Sequence, residues 1–259
     1  MSRQRPIYYY QNFEEDFVQA PQQNLRLPLD YSWQQSNNFS QLLKSRISTQ
    51  LARTFSYLLC NYYLKIKFSQ AQILIPYQQQ GLFLYCNHTL MVGDAFWPFQ
   101  LFKQQKIALI AEPANLSLPV IGKLLPWAGA LITPSYPHQM PQFLTAIAHR
   151  IKTNEAVIIY PEAHVWPYYT GIRPLNLAAF HYPVRYHAPS FCATVTYQRP
   201  LHGQRPQITI YVDGPFWPDQ QQTSKQQQLQ LQRQITTCLQ KRSTFSNYEY
   251  IIYRPRSNP

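Results

Sequence analysis

Residues 82–96 read LFLYCNHTLMVGDAF, and the rest of the chain can be arranged around them. The apolar and aromatic run from Leu82 to Tyr85 predicts a strand, which ends at Asn87-His88. A short loop then leads to Asp94 and a second apolar run. Histidine titrates near neutral pH, and a carboxylate bonded to one ring nitrogen leaves the other nitrogen free to accept a proton. The stretch is therefore compatible with a general base, although a capping aspartate near a structural histidine is the commoner origin of such a pair.

The composition bounds the size of the protein and the kind of partner it meets. Its 259 residues fit one α/β domain with extensions, and a hydrophobic content of 45% is enough for a sizeable core. Lys and Arg outnumber Asp and Glu by 23 to 11, which gives a net charge of +12. This balance favours an anionic partner, which is a nucleic acid, an anionic membrane face or a phosphate-bearing substrate.

The four cysteines are scattered along the chain, at Cys60, Cys86, Cys192 and Cys238. They show neither the spacing of a metal site nor the density of a disulfide framework, so we expect reduced thiols in a cytosolic setting. The N-terminal residues lack the apolar core of a secretory signal. No run reaches the roughly 18 uncharged apolar residues of a spanning helix, so we expect none.

We divide the chain into four segments by composition. Residues 1–39 are rich in Tyr, Gln and Asn, with isolated apolar residues that predict an extended arm lying on a domain. Residues 40–69 form an amphipathic helical segment, and residues 70–218 form the α/β domain. Residues 219–259 give a C-terminal helix and a basic, loosely held tail.

The helix predicted over residues 40–68 combines an apolar face with positive charge. Its apolar residues recur at helical spacing, and all of its charged residues are Lys or Arg. A basic amphipathic helix with an aromatic-rich end is typical of a segment that docks on an anionic bilayer. A core-packing helix whose polar face is basic explains the pattern equally well.

Short apolar runs alternate with helical patterns through the remainder of the chain. This alternation predicts an α/β fold with a mixed, mostly parallel sheet flanked by helices, and chemistry at the ends of the strands. The predicted strands are 73–75, 82–85, 107–110, 129–134, 156–160, 191–197 and 207–212. The predicted helices are 95–102, 119–128, 140–152 and 220–240.

Four blocks occur in order along residues 70–215, and their order and spacing carry more information than any one of them. The blocks are Asn87-His88 with Asp94, Pro119 to Gly122 with Gly129-Ala130-Leu131-Ile132, Tyr160-Pro161-Glu162-Ala163, and Tyr182 to Val195 with its two prolines. They resemble the sequence blocks of the glycerolipid acyltransferase family, which comprises the lysophosphatidate and glycerol-3-phosphate acyltransferases.

The resemblance implies a reaction of phospholipid synthesis. It implies transfer of a fatty acyl group from acyl-CoA or acyl-carrier protein to a hydroxyl of a lysophospholipid or glycerol-phosphate-like acceptor, or of another lipid or polyol. It assigns His88 as the general base and Asp94 as the residue that orients it, and it implies no cofactor and no metal. Backbone N–H groups around residues 87–89 or 162–163 are the expected donors to the oxyanion.

The resemblance also assigns residues to substrate binding. In this respect the chain departs from the family pattern at two arginines. The arginines that close the family's second and third blocks are replaced, the first by Ser135 and the second within residues 163–166. Other basic residues nearby are then expected to supply positive charge for the acceptor's phosphate. An acceptor without a phosphate is equally compatible with the sequence. The substrate-binding residues assigned in this way are Asn87, Thr89, Tyr160, Pro161, Glu162, Lys123 and Arg173. For Glu162, a structural pairing with Arg173 is the alternative.

The spacing of the first block is the other departure. The family places four residues between the histidine and the aspartate, whereas five separate His88 from Asp94. Gly93 accepts a bulged backbone without steric penalty, so we expect one residue to loop out and Asp94 to reach His88.

Three interpretations of the sequence lead to different functions. The first is a peripheral acyltransferase on the cytoplasmic face of the cell membrane, and the second is a non-catalytic lipid- or membrane-binding protein on the same fold. A nucleic-acid binder is motivated only by the net charge, and no recognised nucleic-acid motif supports it.

Cys86 lies two residues before His88, which suggests a cysteine nucleophile. The alternative is that Cys86 is simply a small buried residue. A metal site of His88, His164 and His187 has no local ligand pair to support it.

Overall fold

The computed structural model describes residues 5–33 and 38–256. Strands and helices alternate along most of this part of the chain. The strands are β1 (Ile7–Tyr10), β2 (Lys67–Ser69), β3 (Leu82–Cys86), β4 (Ile107–Ala111), β5 (Leu131–Ile132), β6 (Ala156–Ile159), β7 (Ser190–Gln198), β8 (Gln207–Phe216) and β9 (Ile252–Pro255). The α-helices are α1 (Phe39–Leu58), α2 (Pro98–Leu101), α3 (Ile121–Leu124), α4 (Met140–Lys152), α5 (His181–Tyr186) and α6 (Ser224–Ser243).

Seven strands form the main sheet, in the order β2-β8-β7-β3-β6-β4-β5. The β7–β8 pair is antiparallel, and the other neighbouring pairs are parallel. Helices α4 and α6 pack against one face, while α2 and the turn that follows α1 pack against the other. The predicted α/β fold, with a mixed and mostly parallel sheet flanked by helices, is confirmed.

The apolar run of β3 reflects its place at the centre of this sheet. All five of its residues are fully buried. Phe83 and Tyr85 enter the core on the α4 and α6 side, whereas Leu82, Leu84 and Cys86 enter the core on the opposite side. A strand covered on both faces has no solvent side, and therefore its sequence is continuously apolar.

Helix α1 turns its polar side toward the protein and its apolar side outward. Ser48 and Ser56 are buried, and the Ser56 hydroxyl donates a hydrogen bond to the Phe96 carbonyl at 2.7 Å. Five of the exposed apolar residues are here called the outward stripe; they are Leu43, Ile47, Leu51, Phe55 and Leu58, each between 45% and 56% exposed. Within residues 5–33 and 38–256, no helix has both the length and the apolar character needed to cross a bilayer.

The helix predicted over residues 40–68 is too long. After α1, one π-helical turn covers Leu59–Tyr63, and the backbone then enters the left-handed region at Lys65, where φ is +52°. The change of direction starts β2 at Lys67, which pairs with β8 at the edge of the main sheet. Residues 40–68 contain neither Gly nor Pro, so the sequence gave no indication that α1 ends at Leu58.

The strand predicted at residues 73–75 is wrong. A 3₁₀ helix covers Ala71–Tyr77, and it buries Leu74 while leaving Ile75 62% exposed. Three consecutive apolar residues are too few to separate a strand from a turn of helix that buries one face.

Three other predicted elements are shorter in the structure, and one of them is the helix predicted over residues 119–128, which is reduced to α3. The predicted strand over residues 129–134 is β5, Leu131–Ile132, and it follows Gly129 with φ +102°. A Cβ atom at Gly129 would lie 2.6 Å from the Ile107 carbonyl oxygen, so the chain needs glycine there. The predicted helix over residues 95–102 is reduced to α2, because Pro98 sets its first turn.

The terminal segments pair with each other. Strand β1 lies parallel to β9, with Ile7 opposite Ile252. In the N-terminal segment, the Trp33 indole is buried and donates to the Ile132 carbonyl at 2.7 Å. The prediction of a loosely held tail is wrong through residue 255, because pairing with β1 holds it. Residues 1–4, 34–37 and 257–259 of these predicted segments lie outside the described part.

Candidate active site

The site lies where β3 and β6 end, at the middle of the sheet. The two strands are parallel neighbours, with Tyr85 opposite Ile159, so the loops that follow them open at the same edge. The His88 N–H donates to Glu162 Oε2 at 3.0 Å. The sequence blocks at residues 87–94 and 160–163 therefore meet in one site.

His88 and Asp94 form the pair that their spacing only suggested. The distance from His88 Nδ1 to Asp94 Oδ2 is 2.8 Å, and the imidazole is 18% exposed while the carboxylate is 1% exposed. The same Oδ2 accepts the Leu90 N–H at 2.8 Å, and Oδ1 accepts the Trp97 indole N–H at 3.0 Å. Three donors hold the carboxylate in a fixed orientation, and an imidazole that donates to it through Nδ1 has Nε2 free to accept a proton.

The loop between the two residues absorbs the additional residue of the five-residue spacing. Met91 and Val92 lie about half exposed, and Gly93 begins a 3₁₀ turn that carries Asp94 back to His88. Gly93 does not adopt a left-handed backbone. A Cβ atom at this position would lie 3.0 Å from the Leu90 Cβ, so a larger residue would press on Leu90.

Tyr160 forms one wall of the site. Its ring stacks on the His88 imidazole with centroids 4.3 Å apart, and its hydroxyl donates to the Asp94 carbonyl at 2.6 Å. Burial, and then the Asp94 charge, raise the pKa of Tyr160 well above its usual value, so the phenol stays neutral. The ring therefore fixes the plane of the imidazole from one side.

Glu162 and Arg173 form a buried ion pair behind His88. Glu162 Oε1 accepts the Arg173 backbone N–H at 2.9 Å, and Oε2 accepts the guanidinium at 3.1 Å. The two side chains are 0% and 1% exposed. The guanidinium also donates to the carbonyls of His164 and Phe13. The pair thus ties the His88 loop to the next loop and to the N-terminal arm.

Asn87 and Thr89 anchor the His88 loop to β7. The Asn87 side chain bonds both backbone groups of Val195, at 2.8 and 3.1 Å. The Thr89 hydroxyl lies 2.7 Å from the Tyr197 hydroxyl. Both side chains are buried, so they position the backbone on either side of His88.

Lys123 and Pro161 are the remaining predicted site residues. Lys123 is exposed on α3. Pro161 is buried, and its carbonyl accepts the Asn176 N–H at 2.9 Å. Ser135, at the place of the family's arginine, accepts the Leu27 N–H at 2.8 Å, so the N-terminal arm covers it.

The two alternative chemistries find little support in this arrangement. Cys86 is fully buried, and burial followed by the Asp94 charge raises the pKa of its thiol well above the usual value. His187 lies just before β7, and β7 and β3 are parallel, so it lies at the sheet edge opposite His88. His164 instead faces Asp16, with 3.9 Å between Nδ1 and Oδ2. The fold therefore does not bring the three histidines together.

Sequence reasoning missed two tryptophans that hold the site. Trp97 is fully buried three residues after Asp94, and that spacing on a short helical turn was the available signal. Trp166 is also fully buried, and its backbone N–H donates to the His88 carbonyl at 3.1 Å. No local pattern marked Trp166, because its partners come from both ends of the chain.

The chain is similar in fold to solved structures, one of which is the 1-acyl-sn-glycerophosphate (LPA) acyltransferase PlsC from Thermotoga maritima, with a TM-score of 0.56. The match covers 76% of this chain and 80% of that one at 10% sequence identity, so the likeness is one of fold. No protein-family model and no curated protein matches the chain.

Proposed function

We propose that this protein is an O-acyltransferase that moves a fatty acyl group from acyl-CoA or acyl-carrier protein to the hydroxyl of a lysophospholipid or glycerol-phosphate-like acceptor. The observation that carries the proposal is the 2.8 Å bond between His88 Nδ1 and the buried Asp94 carboxylate. The acyltransferase fold supports the same reaction class.

In the proposed reaction, His88 acts as the general base. Its Nε2 takes the acceptor's hydroxyl proton while that oxygen attacks the thioester carbonyl, and Asp94 stabilises the imidazolium that forms. The tetrahedral intermediate then expels the thiolate, the ester forms, and the thiolate takes the proton from Nε2. General-base assistance of this kind contributes a factor of roughly 10²–10⁴ to the rate.

The intermediate also needs hydrogen-bond donors for its oxyanion. Of the expected backbone donors, the His88 N–H is bonded to Glu162 and the Ala163 N–H to the Tyr160 carbonyl. The N–H groups of Asn87, Thr89 and Glu162 are the remaining candidates in those two loops.

The acceptor's head group meets a different set of charges from the one the family pattern implies. The arm covers Ser135, and the Arg173 guanidinium is engaged by Glu162. Lys123 is the exposed cation among the assigned residues. An acceptor with a phosphate would use such a surface charge, and an uncharged polyol head group would need none.

We also propose that α1 docks the protein on the inner face of the cell membrane. The outward stripe supports this, because its apolar side chains face away from the protein while Ser48 and Ser56 of α1 face inward. Lys44 and Arg46 lie exposed on the same helix, where they suit anionic lipid. Docking in this way would let a lipid acceptor reach His88 without leaving the bilayer.

The test is thiol release from acyl-CoA and from acyl-carrier protein over a panel of lysolipid and polyol acceptors. We expect acceptor-dependent release by the wild-type protein and a loss of at least about 10²-fold in His88→Ala. Full activity in His88→Ala would remove the base from the mechanism. Vesicle binding without release from any donor would instead favour the lipid-binding alternative.

A further inference from the structure

A second group of reactive side chains lies on the sheet face that α6 covers. Cys192 on β7 and Asp213 on β8 are paired across the antiparallel ladder, and Cys238 lies opposite them on α6. The two sulfur atoms and a carboxylate oxygen all lie within 4.8 Å of one another. The sequence showed no metal-type cysteine spacing, and it is the packing of α6 on the sheet that brings the two thiols together.

The group can be reached from solvent through a cleft. Asp213 and Cys238 line a cleft of about 400 Å³ that is open to solvent. Cys192 is fully buried beneath it. A cation entering the cleft would meet the carboxylate and the half-buried thiol first and the buried thiol last.

Arg242 holds the carboxylate of this group from the outer side. Its Nε donates to Asp213 Oδ2 at 2.8 Å and its terminal nitrogen to Oδ1 at 2.5 Å. A carboxylate offers about four lone-pair positions, so two remain for a cation. The guanidinium is itself fixed between the rings of Tyr211 and Phe245. Ligating carboxylates in metal sites are commonly oriented by such outer donors.

We propose that Cys192, Asp213 and Cys238 bind a thiophilic divalent cation of the zinc class. Two thiolates and one carboxylate carry three negative charges, and a divalent cation with the Arg242 guanidinium carries three positive ones. Ligands about 2.3 Å from a tetrahedral zinc lie about 3.8 Å apart, which small side-chain rotations reach from the present separations. Binding forms two metal–sulfur bonds and one metal–oxygen bond, releases the two thiol protons to solvent, and oxidises nothing.

Such an ion would join β7, β8 and α6 at one point. The fourth position faces the cleft, where water can complete the tetrahedron. The site lies on the sheet face that α6 covers and involves none of the residues of the proposed acyl transfer. Its test is therefore independent of that reaction.

The experiment uses the full chain, freed of metal by a chelator and kept reduced with a phosphine. We expect Co²⁺, added as a spectroscopic probe, to produce a thiolate-to-cobalt charge-transfer band at one ion per chain, and Zn²⁺ to displace it. In Cys238→Ser the band should fall by about half or disappear, with at least about tenfold weaker binding. Arg242→Gln should keep the band but weaken binding by about 10–100-fold.

Cys60→Ser is the matched control, because Cys60 is a buried thiol on the other side of the sheet. It should match the wild-type spectrum. Zn²⁺ should also raise the melting temperature of the wild-type protein and of Cys60→Ser, but not that of Cys238→Ser. A wild-type protein without the charge-transfer band, or a band that is unchanged in Cys238→Ser or lost in Cys60→Ser, would overturn the proposal.

Discussion

At the scale of single residues, the candidate base depends on how Asp94 is held. Its two oxygens are shared among the His88 ring, the Leu90 N–H and the Trp97 indole. The histidine and the aspartate could be predicted from the sequence because they lie close together in it. Their geometry could not, because the five-residue spacing left open whether Asp94 reaches the ring.

The Trp97 indole tests the role of this arrangement. Trp97→Phe removes one donor to a charged acceptor, a bond that contributes about 1.5–3 kcal/mol. If Trp97 positions Asp94, kcat should fall by about tenfold or more while KM for the acceptor changes little. The measurement is steady-state thiol release with acyl donor in excess.

Phe99→Leu provides the control, because Phe99 is buried in the same core. It should lower the free energy of unfolding, measured in urea, by an amount similar to that of Trp97→Phe. Equal losses of kcat in the two variants would show that Trp97 contributes through packing alone.

At the scale of elements, α1 shows how far a periodic pattern determines placement. The apolar spacing of residues 40–58 predicted a helix correctly, but either of its sides could have faced the core. In the structure the side with Ser48 and Ser56 packs inward, and Arg53 donates to the carbonyls of residues 102, 103 and 105. The apolar side is left outside, which a core-packing helix would not allow.

The outward stripe gives a prediction about membrane docking. Ile47→Asp with Leu51→Asp places two charges on residues that are 51% and 56% exposed, so folding should be unaffected. Burying such side chains in a bilayer contributes roughly 1.5–3 kcal/mol each. We therefore expect at least about tenfold weaker binding to vesicles with anionic lipid, measured by co-sedimentation.

Gln240→Asp is the matched control, since Gln240 is exposed on α6 at the opposite face of the sheet. It makes the same kind of charge change and should leave vesicle binding close to that of the wild-type protein. Undiminished binding by the double variant would exclude α1 as the docking element.

At the scale of the whole molecule, the two chain ends reach the active site through one aromatic cluster. Tyr253 of β9 stacks on Trp166 with centroids 5.0 Å apart, and Phe17 of the arm meets the same indole at 5.2 Å. The Trp166 backbone in turn bonds the His88 carbonyl. The terminal β1–β9 sheet therefore supports the loop that carries His88.

Tyr253 offers a test of this support. Tyr253→Ala removes a largely buried ring and should lower the free energy of unfolding by about 3 kcal/mol. It should also make Trp166 accessible to a collisional quencher and lower kcat. Tyr253→Phe keeps the ring and loses only the bond to the Pro167 carbonyl, so it should retain most of both properties. If Tyr253→Ala retained the wild-type kcat, the terminal sheet would not be needed to support the site.

The sequence by itself determined the features that short stretches encode. These are the α/β alternation, the central apolar strands, the histidine–aspartate block and the order of the four blocks. The pairings between distant groups follow from the tertiary structure alone. They are β1 with β9, Glu162 with Arg173 behind His88, and Cys192 of β7 with Cys238 of α6. The physical reason is that backbone and side-chain periodicity acts over a few residues, whereas these pairings depend on how the sheet and helices pack.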